Sequence, residues 1–241
     1  MLKYKHISHQ GNREHNEDSA ICVESNSNYC FVVADGLGGH GKGEIASQKA
    51  TEVFGRVFCA NPNSNKDFLD DAFTGAQSEI IALQQASGDK LGMKTTAVCL
   101  SVIDGKCQYG HIGDSRLYLF HKNKVKTRTL DHSVPQMLVL SGEIKEKHIS
   151  SHPDRNRLLR AIGVEWDSPR YELSDEFPLS SCQAFLLCTD GFWEYIEPKL
   201  MAKYLKKSKS VEEWLDLMTA EVEKNGRGQE MDNYTAIAVM N

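Results

Sequence analysis

The apolar positions of this chain change period along its length, and the changes mark out its elements. Tyr29-Cys-Phe-Val-Val-Ala34 is a short continuous apolar run that predicts a buried strand ending at Asp35. Beyond a glycine-rich stretch, Ala46, Ala50, Val53, Phe54, Val57 and Phe58 recur with helical period. Cys59-Ala-Asn-Pro-Asn-Ser-Asn65 reads as a loop. Leu69, Ala72, Phe73, Ala76, Ile80 and Leu83 then form the apolar face of a second helix. From Thr96 the period shortens: Thr96–Val102 and Lys106–Ile112 flank Asp104-Gly105 as a hairpin. Leu117–Phe120 and Val125–Thr127 flank a second turn at Lys122-Asn-Lys124. Polar loops fill much of 141–157, Ala184–Cys188 predicts a strand ending near Asp190, and Tyr234–Met240 predicts the last strand. Between those two strands, Pro198 fits a first helical turn, and Ser210-Val-Glu-Glu213 offers a capping box ahead of Trp214, Leu217 and Met218. With no internal repeat and no separating linker, the pattern predicts one domain over residues 1–241, hairpin-rich sheets covered by helices.

Composition narrows the class. A mixture of 40% hydrophobic and 25% charged residues is that of an ordinary soluble domain. The formal charge of −5, with no long basic run, argues against a nucleic-acid partner. Lys203, Lys206, Lys207 and Lys209 read as a solvated helix face. Apolar runs such as Ala184–Cys188 are too short to span a bilayer, and no signal peptide is visible, so the expectation is a cytoplasmic protein without a membrane partner. The seven cysteines form no CxxC and lie mostly inside apolar runs, as buried thiols in a reducing compartment do.

The candidate chemistry lies in acidic residues at the ends of apolar segments. Asp35, Asp114 and Asp190 each follow one, Asp232 lies just ahead of the last strand, and Glu17 and Asp18 precede Ile21-Cys-Val23. A single such aspartate is ordinarily a turn or cap. Glycine beside three of them, in Asp35-Gly36, Gly113-Asp114 and Asp190-Gly191, permits close backbone approach and leaves space beside each carboxylate. Gathered carboxylates need compensating charge, which Mg²⁺ or Mn²⁺ supplies through carboxylate, carbonyl and water oxygens. The nine histidines show no zinc spacing. Arg13 lies four residues before Glu17; its ordinary reading is a surface ion pair, but beside a metal centre its fork could hold two phosphate oxygens.

Two competing chemistries fail. Gly36 and Gly41-Lys42 match a P-loop, but Gly43 stands where the Mg²⁺-binding Ser/Thr is required, and Asp35 puts a carboxylate beside the would-be anion cradle. Ser115 and Ser133 lack a GxSxG elbow, and no cysteine has the Cys-x5-Arg spacing of a thiol-dependent phosphatase.

Eight ordered motifs now bear on the family. They are Arg13-Glu-His-Asn-Glu-Asp18, Val33-Ala-Asp-Gly-Leu-Gly-Gly-His40, Lys94-Thr-Thr-Ala97 and His111-Ile-Gly-Asp-Ser-Arg116, followed by Leu130-Asp-His-Ser133, Leu159-Arg-Ala-Ile-Gly163, Leu187-Cys-Thr-Asp-Gly191 and Asp232-Asn-Tyr-Thr235. Over nearly the whole chain they resemble the metal-dependent protein serine/threonine phosphatases of the PPM or PP2C family, short bacterial members especially. The resemblance implies an α+β fold, a four-layer αββα sandwich with a central β-sandwich of mainly antiparallel strands flanked by helices. It implies that Asp35 bridges two metals, with the Gly36 carbonyl on the second and Asp190 and Asp232 on the first. Glu17 resembles a direct or water-mediated group at the second metal, with Asp18 behind it orienting waters. Asp114 matches the residue that, with the Asp190 equivalent, holds a third and weaker metal in bacterial relatives. Arg13 resembles the substrate-phosphate clamp, and about 141–160 corresponds to a flap beside the site. Leu37 stands where some members carry a histidine proposed as general acid, with His40 nearby, so the source of the leaving-group proton stays open.

The implied function is hydrolysis of phosphoserine and phosphothreonine in proteins by water activated at two Mn²⁺ or Mg²⁺ ions, without a phosphoenzyme. The implied partners are phosphorylated proteins, substrates of a bacterial Ser/Thr kinase, and the enzyme is expected to be a monomer. The alternatives are a catalytically silent phosphoprotein-binding scaffold and a phosphatase dedicated to one small regulatory protein.

Overall fold

The computed structural model describes residues 1–38, 42–60, 64–88 and 92–241. The amino-terminal half runs β1 (Lys3–His9), β2 (Asp18–Ser25), β3 (Asn28–Leu37), α1 (Lys42–Cys59) and α2 (Asn65–Ser87). A run of strands follows, two hairpins in different sheets after a short β4: β4 (Lys94–Thr95), β5 (Ala97–Ile103), β6 (Lys106–Ile112), β7 (Arg116–His121) and β8 (Lys124–Arg128). The remainder holds α3 (Val134–Leu140), β9 (Glu172–Leu173), β10 (Phe177–Pro178), β11 (Ala184–Cys188), α4 (Asp190–Trp193), α5 (Pro198–Lys207), α6 (Val211–Gly226) and β12 (Tyr234–Met240).

These strands build two sheets, one ordered β1-β12-β11-β7-β8 and the other β10-β6-β5-β3-β2, with β4 and β9 paired to β3 and β6. Alternation along each central strand explains why they read as unbroken apolar runs. Phe31, Val33, Val98, Leu100, Phe185, Leu187, Ile237 and Val239 point between the sheets. Their neighbours Cys30, Val32, Ala97 and Cys99 face α1 and α2. Ala184, Leu186, Ala236 and Ala238 face α5 and α6 on the opposite side. Both faces of both sheets are therefore covered, which gives four layers in the order αββα. Among the described residues, no helix is long and apolar enough to cross a membrane.

The local signals work largely as read. In the first predicted hairpin, Asp104 and Gly105 both have positive φ, 51° and 74°, the twist a two-residue turn between antiparallel strands requires. Lys122 and Asn123 do the same in the second, at 50° and 57°. The Ser210 side chain accepts from the Glu213 amide at 3.2 Å. The Glu213 carboxylate, however, accepts from the Lys209 amide rather than that of Ser210. The strand predicted to end at Asp35 continues to Leu37, because Gly36 and Leu37 pair with Thr95 and Lys94 of β4. Asp35 thus lies inside a strand, directly opposite Asp18 in the β2–β3 register.

Candidate active site

The acidic residues meet where the two sheets end on the same side of the sandwich. There a cleft of about 930 Å³ is lined by Glu17, Asp35, Asp114, Asp190 and Asp232 together with Arg13 and the backbone at Gly36. Asp18 lies buried behind them. Each arrives from a different part of the chain, and hydrogen bonds fix the segment that carries it. Asp35 is gripped through its backbone: its amide donates to Thr96 Oγ1 at 3.0 Å, and its carbonyl accepts from Thr95 Oγ1 at 2.8 Å. Asp18 accepts from Thr189 Oγ1 at 2.9 Å, and Thr189 in turn accepts from the Thr235 amide. Asn233 takes the Glu17 amide on Oδ1 and donates to the carbonyls of Gln10 and His15, tying the Arg13–Glu17 loop to the start of β12. The glycines answer a packing demand as well. A Cβ on Gly191 would fall 2.1 Å from the Asn233 carbonyl oxygen, and one on Gly36 would fall 2.3 Å from that of Gly43.

Arg13 does not pair with Glu17, its neighbour four residues on. Its Nη2 donates to Asp232 Oδ2 at 2.7 Å, which anchors the guanidinium at the cleft mouth.

Without a cation the cluster is electrostatically overloaded. Burial, then the carboxylates of Asp190, Asp18 and Asp114, holds Asp35 well above the usual carboxylate range. Burial and Asp190 do the same to Asp114, with the Arg116 charge pulling the other way. Asp18 is pushed up to about 8, first by burial, against hydrogen bonds from Thr235 and Thr189. Asp190 is pushed up to about 6 by burial and by Asp232. Burial also raises Glu17, against a bond from the Gly43 backbone. A set of buried carboxylates that raise one another toward protonation fits Mg²⁺ or Mn²⁺, which prefer oxygen ligands and supply compensating charge.

Two groups in this region escaped the sequence reading. Arg155, from the expected flap, lines the cleft with Asn156 and Leu158, and its Nε lies 3.5 Å from Glu194 Oε1. Glu194 is pushed up to about 7 by burial and by Asp190, so the acidic cluster extends past α4. The only available signal was an acidic residue one helical turn after Asp190 in Asp-Gly-Phe-Trp-Glu. Leu37 lines the cleft as a wall without a proton to give, and His40 lies outside the described residues.

A second cluster, His111, His132 and Glu172, brings three ligand-type atoms within 4.8 Å. Its hydrogen bonds give it a structural role. His111 Nε2 donates to the Leu130 carbonyl, and His132 Nδ1 accepts from the Gly113 amide, so its Nε2 carries the proton that Glu172 accepts at 3.1 Å. Arg160 already supplies a cation, with Nη1 2.9 Å from Glu172. Burial pushes His132 down to about 4 and keeps the ring neutral.

Comparison with known proteins bears on the cleft. A family model described as Protein phosphatase 2C matches residues 7–234. The serine/threonine phosphatase stp of Listeria monocytogenes is 31% identical over 235 residues, which cover 94% of this chain and 90% of that protein. The crystal structure of Serine/threonine phosphatase Stp1 from Staphylococcus aureus superimposes with a TM-score of 0.90 at 26% identity, covering 100% of this chain and 95% of that one. The catalytic domain of the serine threonine protein phosphatase PstP, in complex with two manganese ions, superimposes with a TM-score of 0.81 at 26% identity, covering 99% of this chain and 97% of that one.

The raised carboxylates carry a pH signature. The folded values of Asp18 and Asp190, about 8 and about 6, lie above the roughly 3.9 of an unfolded aspartate. The metal-free fold therefore binds protons that the unfolded chain releases. That contribution is fully present below about pH 4 and is lost as the pH rises through about 6 and about 8. In a chelator, these groups are expected to lower the thermal midpoint between about pH 5.5 and about pH 8, with Mg²⁺ raising it more at the higher pH. Differential scanning calorimetry checks this, and a Mg²⁺ effect larger at the lower pH contradicts it.

Proposed function

Because the chain belongs to the protein phosphatase 2C family, we propose that Asp35, Asp190 and Asp232, with the Gly36 carbonyl and Glu17, hold the divalent cations on which its catalysis depends. The chain is a protein serine/threonine phosphatase: it removes the phosphoryl group from phosphoserine and phosphothreonine in proteins. The observation that carries the assignment of residues is the convergence of Glu17, Asp35, Asp114, Asp190 and Asp232 on one cleft. A silent scaffold is not favoured, since such a costly collection of like charges has no use in a site that binds phosphate without metal.

Bound in the cleft, the cations supply Lewis acidity toward the phosphoryl oxygens and a nucleophilic water at neutral pH. The protein's own groups do the rest. Asp35, held inside β3 by Thr95 and Thr96, presents its carboxylate from a rigid strand. Asp18, which accepts a bond from Thr189, would orient water behind Glu17. Arg13, anchored to Asp232, places a guanidinium at the mouth, where its planar fork suits two phosphoryl oxygens. Leu37 gives the floor an apolar wall and no proton.

Two cations are the working number, with Asp114 and Asp190 offering an outer position for a third. Residues 1–241 act as one catalytic domain, and the flap at about 141–160 shapes substrate access through Arg155, Asn156 and Leu158. The substrates are phosphoproteins, here read as those of a bacterial Ser/Thr kinase. The enzyme is read as a cytoplasmic monomer.

Asp35→Asn and Asp190→Asn are each expected to reduce Mn²⁺-dependent phosphate release from a phosphopeptide by about a hundredfold or more while leaving the circular dichroism spectrum intact. Wild-type rates in both contradict the assignment. Arg13→Ala is expected to raise KM by roughly tenfold, the scale of a charge-assisted hydrogen bond. An unchanged kcat/KM would remove Arg13 from the phosphate site.

A further inference from the structure

We propose that Trp193 is a positioning residue that sets the distance between Asp114 and Asp190. The strands β7 and β11 are paired only as far as Arg116 opposite Cys188. Asp114 and Asp190 each lie two residues beyond that last pair, where the ladder no longer holds them, and once ionised to receive a cation their charges repel. The Trp193 indole spans the gap. It belongs to α4, three residues after Asp190, and its Nε1 donates to the Asp114 carbonyl at 3.0 Å. The side chain is itself fixed. The Arg116 guanidinium carbon lies 3.3 Å from the ring centroid, a stacking that confines the indole plane. Arg116 in turn makes a two-pronged bond to Asp131 at 2.7 and 2.6 Å and donates to the Tyr118 hydroxyl at 3.0 Å.

The brace therefore runs from a buried ion pair through an aromatic ring to the backbone of a cleft carboxylate. It resists the separation that repulsion favours, and so preorganises the pair for an outer cation. The inference rests on reading Asp114 as a cation-binding carboxylate. A bond of the same kind elsewhere isolates the effect: Trp214 Nε1 of α6 donates to the Met201 carbonyl of α5 at 3.0 Å, with both residues buried. Both substitutions to phenylalanine remove one buried indole donor, but only Trp193 bonds a residue that lines the cleft.

The test uses the full chain and Mg²⁺ alone as the probe. Trp193→Phe is expected to raise the half-saturating Mg²⁺ concentration for phosphopeptide hydrolysis about fivefold, the equivalent of one lost hydrogen bond, with Trp214→Phe unchanged. Asp114→Asn is expected to weaken the Mg²⁺ response at least as much. In ¹⁹F spectra of 5-fluorotryptophan protein, the Trp193 resonance is expected to shift with Mg²⁺, and this shift is expected to be lost in Asp114→Asn. Spectra of Trp166→Phe and Trp214→Phe assign that resonance even if Trp193→Phe does not fold. A Trp193 resonance indifferent to Mg²⁺, or a Trp214→Phe effect equal to that of Trp193→Phe, overturns the brace. If Asp114→Asn leaves the Mg²⁺ response unchanged, the reading of Asp114 fails and the brace fails with it. If Asp114→Asn weakens the response and Trp193→Phe does not, the brace alone is wrong.

Discussion

Mutual repulsion among carboxylates governs how this molecule is built around its cleft. Asp18 and Asp35 face each other across an antiparallel pair, a placement that destabilises a sheet when both are charged. Asp114, Asp190 and Asp232 add to the same field. A fold tolerates such a collection only if the backbone under each group is fixed more firmly than repulsion can move it, and if something supplies positive charge. The αββα sandwich meets the first condition, because Asp35 lies in a strand whose neighbours are buried on both faces. Divalent cations meet the second.

The hydrogen bonds around the cleft show where that firmness comes from. The two threonines of Lys94-Thr-Thr-Ala97 hold the backbone of Asp35, and Thr189 joins Asp18 to the start of β12. Asn233 closes the arrangement by holding the loop that carries Arg13 and Glu17. These residues bring no charge of their own; they convert strand ends into fixed mounting points. Mounting reactive groups on such supports is what lets the protein's electrostatics act without reorganising during the reaction.

Much of this was legible from residues. Asp35, Asp114 and Asp190 were marked by strand ends with adjacent glycine, and the cleft does gather them. The central strands stood out because both faces are buried. β1 escaped because Lys3-Tyr-Lys-His-Ile-Ser-His9 is an edge strand with no buried residue, most of its side chains exposed, so its apolar signal is weak. α3 and α4 are too short to show helical period. The partner of Arg13 was beyond any local rule: Asp232 lies 219 residues away, and only closure of the sheet between β1 and β12 brings the two together. Glu194 was hidden for a similar reason. Its position after Asp190 was visible, but its burial was not.

Burial and mutual repulsion hold the cleft carboxylates toward protonation, so a cation that binds among them displaces protons. Calorimetric titration of the metal-free chain with Mn²⁺ at about pH 7, in buffers of different ionisation enthalpy, counts the protons released on binding. Release of about one proton or more per chain is expected, diminishing as the pH is raised toward about 9. Tight Mn²⁺ binding with no proton release at about pH 7 would contradict it.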